Sequence, residues 1–145
     1  MSMNQILSGM DISASGLTGE RLRMEVAANN IANQHSTRTA QGGPYQRQQV
    51  TFTAAMAQNG IGKVDDLKGV RVVGVSSDTT PGANIYDPGH PDADASGHVQ
   101  QSNVNLPIEM VDLVTASRAY EANLKSLETF RQMAEQALSL LRGMR

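Results

Sequence analysis

Both ends of this chain carry an apolar heptad and the middle does not, and nothing else constrains the fold as tightly. The N-terminal seam runs Met3, Leu7, Met10, Ala14, Leu17, Arg21, Met24, Ala28, Ile31, with Arg21 its one polar member. The C-terminal seam runs Met110, Leu113, Ser117, Tyr120, Leu124, Leu127, Arg131, Ala134, Leu138, Leu141, broken in chemistry only at Ser117 and Arg131. In both, steps of three and four alternate without a slip. A 3.5-residue period keeps one stripe of a helix facing its neighbour, as coiled-coil partners require. Further apolar residues flank each seam: Ile6, Ile12, Leu22 and Val26 on the first, and Val111, Val114, Phe130, Met133 and Leu140 on the second. A wide apolar face belongs to a bundle helix with several neighbours. Pairing the two ends within one molecule supplies one contact, so the remainder points to other subunits.

The first helix is expected over about Met3 to Asn33 and is intrinsically weak. Gly9, Gly16 and Gly19 each cost roughly 1 kcal/mol relative to Ala in a helix interior. This end is therefore expected to order only when a partner covers its stripe. The second helix is expected over about Leu106 to Arg142. Asn105 is a suitable N-cap, and Pro107 falls in the first turn, where its missing N–H does no harm. Glu109 and Asp112 lie near the positive end of the helix dipole. Glu121 and Lys125 have the favourable i,i+4 order, and Arg142 with Gly143 supplies the stop.

Between the helices the pattern changes. Gly42, Gly43 and Pro44 punctuate the exit from the first helix. Tyr45 to Thr53 and Val70 to Val75 read as strands. Ala54 to Lys68 is soft, and Pro81 to Gly97 is turn-rich. The expected fold is mainly α with a small β insert: two terminal coiled-coil-type helices that pack in a helical tubular assembly, and a central β-hairpin and loop region. The segments are 1–35, 36–104 and 105–145.

Composition fits this. Aromatics make up 3% of 145 residues, Trp is absent, and the mean hydropathy is −0.34, a poor basis for a large core but adequate for helix stripes. The net charge is −2 with scattered Lys and Arg, so no electrostatic footprint for nucleic acid is visible. No basic amphipathic face suggests a membrane surface, and no run approaches the ~20 apolar residues that a membrane span needs. Without cysteine there are no disulfides and no Cys-ligated metal centre. The N-terminus lacks the charged-then-apolar pattern of a secretory signal.

Two stretches resemble sites. Asp92, Asp94, Ser96 and Gly97 mimic the start of a calcium loop, but its twelfth position is Asn103 in place of the bidentate Glu, and Pro88 and Pro91 forbid the preceding helix. A turn using Asp and Gly for backbone reasons explains the stretch equally. His35, His90 and His98, with Asp87 and Asp92 nearby, match no established zinc spacing. No nucleophile elbow or phosphate-cradling loop is present. The expectation is no enzyme, no metal and no cofactor. Asn29, Asn30 and Asn33 cluster at the end of the first helix, where they either fix register between helices or cap and fray it.

The stretch Val26 to Asn33 (VAANNIAN) resembles the N-terminal signature of the axial proteins of the bacterial flagellum, its rod, hook and hook-associated subunits. Val104 to Asn123 (VNLPIEMVDLVTASRAYEAN) resembles their C-terminal signature, and Ile12 to Leu17 is similar to their start. Val70 to Val75, Pro81-Gly82, Tyr86 to Asp94 and Gly97-His98-Val99 leading into Asn103-Val104 narrow the likeness to the proximal-rod group. The likeness is weakest over Ala54 to Lys68.

The resemblance implies a structural subunit of the rod in the basal body, located in the periplasm and cell envelope. It implies export by the flagellar type III apparatus without a cleaved signal peptide. The implied partners are copies of itself, the other proximal and distal rod proteins, and the adaptor at the rod base, with no nucleic acid and no membrane insertion. The expected subunit-interface residues are Leu7, Met10, Leu17, Met24, Asn29, Asn30, Ile31 and Asn33 on the first helix. On the second they are Glu109, Met110, Leu113, Arg118, Tyr120, Asn123, Leu124, Leu127, Leu138 and Leu141. The competing readings are another short rod subunit, a cytoplasmic coiled-coil adaptor, which explains the heptads but not the paired signatures, and a metal enzyme built on the Asp/His loop.

Overall fold

The computed structural model describes the backbone of residues 3–56 and 67–143, and the side-chain surroundings of residues 7–55 and 68–140. The elements in chain order are α1 (Met3–Ala32), β1 (Gln48–Met56), β2 (Leu67–Ser77), β3 (Asn84–Tyr86), β4 (His98–Gln100) and α2 (Leu106–Gly143). The protein is mainly helical with a central β insert. β1 and β2 form one two-stranded sheet, and β3 and β4 form another. Much of the soft stretch, 57–66, lies outside the described residues.

Both helices begin and end where their local chemistry dictates. Asn105 Oδ1 accepts the Ile108 N–H at 3.3 Å, and the Asn105 carbonyl accepts the Glu109 N–H at 3.1 Å. That is the N-cap geometry, with Pro107 in the first turn. At the end of α1, Asn33 Nδ2 donates to the Asn29 carbonyl at 2.9 Å and to Asn29 Oδ1 at 2.6 Å. On the surface of α2, Lys125 pairs with Glu128 at 3.0 Å, one step from the spacing read with Glu121, and Arg131 pairs with Glu135 at 3.0 Å.

The chain divides into two compact units, each drawing on both helices and the insert. The first comprises Met1–Leu22, Phe52–Val73 and Ala116–Arg145. Here the glycines of α1 act as notches. A Cβ on Gly9 would lie 2.6 Å from Phe130 Cζ, and one on Gly16 would lie 2.9 Å from Asn123 Nδ2. One heptad forward on α1 is thus one heptad back on α2, the register of an antiparallel pair. Gly19 receives the Phe52 ring of β1 in the same way, at 2.9 Å. Ser15 Oγ donates to the Ile12 carbonyl at 2.7 Å and accepts the Val70 N–H at 3.0 Å, tying β2 to the helix. The residues that weaken α1 as an isolated helix are therefore the ones that let its neighbours approach.

The second unit comprises Arg23–Thr51 and Gly74–Thr115. Val26, Ala27 and Val99 supply its buried apolar side chains. β3 and β4 pair antiparallel, with Asn84 opposite Gln100, Ile85 opposite Val99 and Tyr86 opposite His98. The sequence reads this region only as turns, so the short hairpin is a finding of the structure. Asn103 stitches the unit together. Its Nδ2 donates to the carbonyls of Asp78 and Thr80 at 3.0 and 2.9 Å, and its Oδ1 accepts the Arg47 N–H at 2.7 Å.

At Gly82 the chain passes so close to the segment before α2 that a Cβ would lie 2.0 Å from the Gln101 carbonyl oxygen and 2.8 Å from the Ser102 carbon. Backbone cannot yield as a side chain does. Gly82→Ala is expected to destabilise the fold by about 1–3 kcal/mol. Gly74→Ala, with nothing within 4 Å of its Cβ, should stay within about 0.5 kcal/mol of the parent. Urea unfolding of the two variants side by side checks the contrast.

Candidate functional site

The exposed and sheltered faces of the helices are the functional feature of this chain, and they do not coincide with its apolar seams. On α2 the sheltered positions run Glu109, Leu113, Ala116, Tyr120, Asn123, Leu127, Phe130, Ala134, Ala137. This is again an unbroken heptad, sharing Leu113, Tyr120, Leu127 and Ala134 with the apolar seam. The alternate seam members Met110, Leu124 and Leu138 are exposed, by 54%, 42% and 51%. Val111, Val114 and Leu140 beside them are more than half exposed.

On α1 the sheltered heptad is Gly9, Ser13, Gly16, Glu20, Arg23, Ala27, Asn30, made of small and polar residues. The apolar seam lies one residue away, about 100° around the helix. Of its expected interface members, Leu7 is exposed and Met10, Leu17, Met24 and Ile31 are half-buried. Arg118 and Asn29 are exposed, Asn33 is half-buried, and the side chain of Leu141 lies outside the described residues.

Asn30 and Glu109 are turned into their own subunit, each with 1% of its surface exposed. Asn30 Nδ2 donates to Glu109 Oε2 at 2.8 Å and to the Gln48 carbonyl at 2.9 Å. Its Oδ1 accepts the Gln48 N–H and the Tyr45 hydroxyl, both at 2.9 Å. The amide side chain thus grips Gln48 as a neighbouring strand would, with all four of its hydrogen-bonding positions filled. Glu109 Oε1 accepts Arg47 Nε at 2.5 Å. A second ion pair, Arg23 with Asp112, joins the same two helices within this unit. Burial pushes the Tyr45 phenol above the usual tyrosine range, and the charge of Glu109 adds to the effect. The hydroxyl therefore stays a neutral donor to Asn30. The asparagine cluster divides its labour: Asn30 fixes register, while Asn29 and Asn33 finish the helix.

The carboxylates of the Asp/His loop are taken up by nearby N–H and hydroxyl donors. Asp94 Oδ1 accepts the N–H of Ser96, the Ser96 hydroxyl and the N–H of His98 at 2.7–2.8 Å. Asp87 Oδ1 accepts the Gly89 N–H at 3.2 Å, and Asp92 Oδ2 accepts the Thr37 hydroxyl at 2.8 Å. Among the described residues, no three His, Cys, Asp or Glu side chains are grouped to hold a metal. Likewise, no described helix is long and apolar enough to cross a membrane.

The chain thus presents a long helix at each end, a β insert between them and exposed apolar side chains along its helices. Residues 10–37 match the family described as flagella basal body rod protein. Residues 95–140 match the C-terminal family of the flagellar basal body rod FlgEFG proteins. The chain is similar to the flagellar basal-body rod protein FlgC of Borreliella burgdorferi, 40% identical over 95% of this chain and 99% of that one. It is 38% identical to FlgC of Yersinia enterocolitica over 93% and 97%, and 36% identical to FlgC of Bacillus subtilis over 90% and 95%. The chain belongs to the FlgC family and is a structural subunit of the flagellar basal-body rod. That membership displaces the cytoplasmic adaptor reading.

Two outcomes follow for the second unit. Arg47→Ala leaves Glu109 charged and buried and should cost about 3–5 kcal/mol. Arg38→Ala, removing a 76%-exposed partner 3.5 Å from Asp92, should cost less than about 1 kcal/mol. Denaturant midpoints of the two variants check this. The second outcome concerns acid. Hydrogen bonds from Thr80 hold Asp78 below the ordinary value of 3.8. The Thr37 hydroxyl does so for Asp92, and the N–H of His98 with Ser96 for Asp94. A carboxylate depressed on folding contributes stability that is full above its unfolded value and is lost as pH falls through its folded one. Melting temperature should therefore hold steady above pH 3.8 on account of these groups and decline below it, less steeply in Asp94→Asn.

Proposed function

We propose that the subunit polymerises through the exposed apolar stripes of α1 and α2, with copies of itself and with the other proximal and distal rod proteins as neighbours. The adaptor at the rod base is the neighbour at the first layer. The observation that carries this reading is the set of large apolar side chains left in water: Met110, Leu124 and Leu138, two heptads apart on α2, and Leu7 on α1, each 42% exposed or more. Burying one such side chain is worth roughly 1.5–3 kcal/mol, and repeated contacts of this kind sum to a stable interface. Contacts that are heterologous and do not close generate a helix of subunits. A helix held on several faces resists bending and twisting, which suits a shaft that transmits torque.

The second part of the proposal concerns delivery. The subunit reaches the rod through the flagellar type III pathway without a cleaved signal peptide, threaded unfolded and folded at the growing end. A chain without cysteine, whose α1 contacts in the first unit are glycine notches, is easily kept unfolded for such passage. The ends of both helices in that unit then order against neighbours, whose buried area offsets a backbone entropy cost of about 1–2 kcal/mol per residue.

Leu124→Asp puts a charge into the proposed interface, and Leu138→Asp does the same further along. Either variant, supplied to a strain deleted for this chain, should leave basal bodies with rings but no rod on electron microscopy. Glu121→Gln, an exposed polar control, should restore rods. Normal rods with Leu124→Asp would refute the stripe assignment.

A further inference from the structure

We propose that the cluster of Asn30, Arg47 and Glu109 is a register clamp that is already formed in the unassembled subunit. Once through the export path, residues 23–51 and 74–115 fold ahead of the rest and join the rod as a formed half. The inference holds whether or not the exposed stripes are the polymerising surface.

The argument starts from the Glu109 carboxylate, which has 1% of its surface in water. A carboxylate so placed must be matched by charge and hydrogen bonds or expel itself. Its two partners come from different segments: Asn30 from α1 and Arg47 from the lead-in to β1. Burying it with only one of them leaves a buried polar group unpaired, which is worse than leaving the carboxylate in water. The three segments are therefore driven together in one step.

No part of this cluster calls for a neighbouring molecule. Every hydrogen-bonding position of Asn30 is filled from its own chain. The residue before Gln48 is held too, since the Arg47 N–H donates to Asn103 Oδ1. Asn105 starts α2 one turn before Glu109 and so sets which face of that helix the carboxylate occupies. Asn30 and Glu109, each inside a stretch matched by a rod family, thus recognise one another within the subunit. The two largest fully buried side chains described, Glu109 and Asn30, both belong to this unit, whereas α1 in the first unit packs through glycine notches.

Hydrogen exchange with mass spectrometry on the full-length, unassembled chain tests this. Amides of 23–32, 98–101 and 108–115 should exchange slowly, roughly a hundredfold or more below the rate of an open chain. Amides of 7–22 and 120–140 should exchange fast. Open-chain rates throughout would overturn the proposal, as would equal protection of both units.

A charge-specific variant separates the clamp from mere packing. Asn30→Asp is isosteric but places a second carboxylate against Glu109, and two carboxylates in one site cannot both ionise. That variant should lose protection at pH 7 and regain it as pH falls and the pair takes up a proton. Asn30→Asp combined with Glu109→Gln, which restores an amide facing a carboxylate, should regain part of the protection at neutral pH. If Asn30→Asp were as protected as the parent at pH 7, or the double variant were worse than Asn30→Asp alone, no clamp would exist.

Discussion

A single carboxylate withdrawn from water organises half of this molecule. Glu109 lies in the first turn of α2, near the positive end of the helix dipole, and reaches Arg47 and Asn30. To hold it there, α2 must start at Asn105, α1 must extend at least to Asn30, and the chain leaving α1 must return so that Gln48 lies against the same amide. Each requirement is met by a specific hydrogen bond, and Asn103 carries the connection on to Asp78 and Thr80. The clamp accounts for the position of the β insert within its unit without a large apolar core, which a chain with 3% aromatic residues could not build.

Each helix carries two stripes with separate duties. One, rich in glycine, serine, asparagine and charge on α1, meets the same chain. The other, apolar, is half-buried along most of α1 and on α2 leaves Met110, Leu124 and Leu138 exposed in the isolated subunit. A soluble protein that kept both stripes for itself would have no reason to leave Leu124, Leu138 and Val111 in water. In a rod subunit the second stripe is the surface proposed to meet neighbours, and the first keeps that surface correctly presented.

The helices were legible because their signals are local. The Asn105 cap, Pro107 and the two apolar periods place α1 and α2 to within a residue or two of their ends, and the β-formers around Val50 and Val72 mark the longer strands. The β3–β4 hairpin was not legible, because three-residue strands are too short to show alternation and Pro and Asp dominate the loop between them. The intrachain stripe was missed for a different reason: a search for apolar periodicity passes over Gly9, Ser13, Gly16, Arg23 and Asn30. Their common spacing was the available signal. Asn30 could be read as a register-fixing residue, but its partner lies 79 positions away, and nothing in the local sequence points there.

The notches on α1 have a consequence for inheritance. At Gly9, Gly16 and Gly19 the helix offers an absence, and Phe130, Asn123 and Phe52 fill it from elsewhere in the chain. Trimming one of the filling side chains leaves a gap, a graded loss that a lineage can survive and later repair. Enlarging a notch residue asks more, since the smallest addition already meets a ring or an amide that must swing aside. Drift in this protein is therefore one-sided. The filling positions can wander among smaller residues, while the three glycines can enlarge only as the side chains opposite them shrink or swing aside.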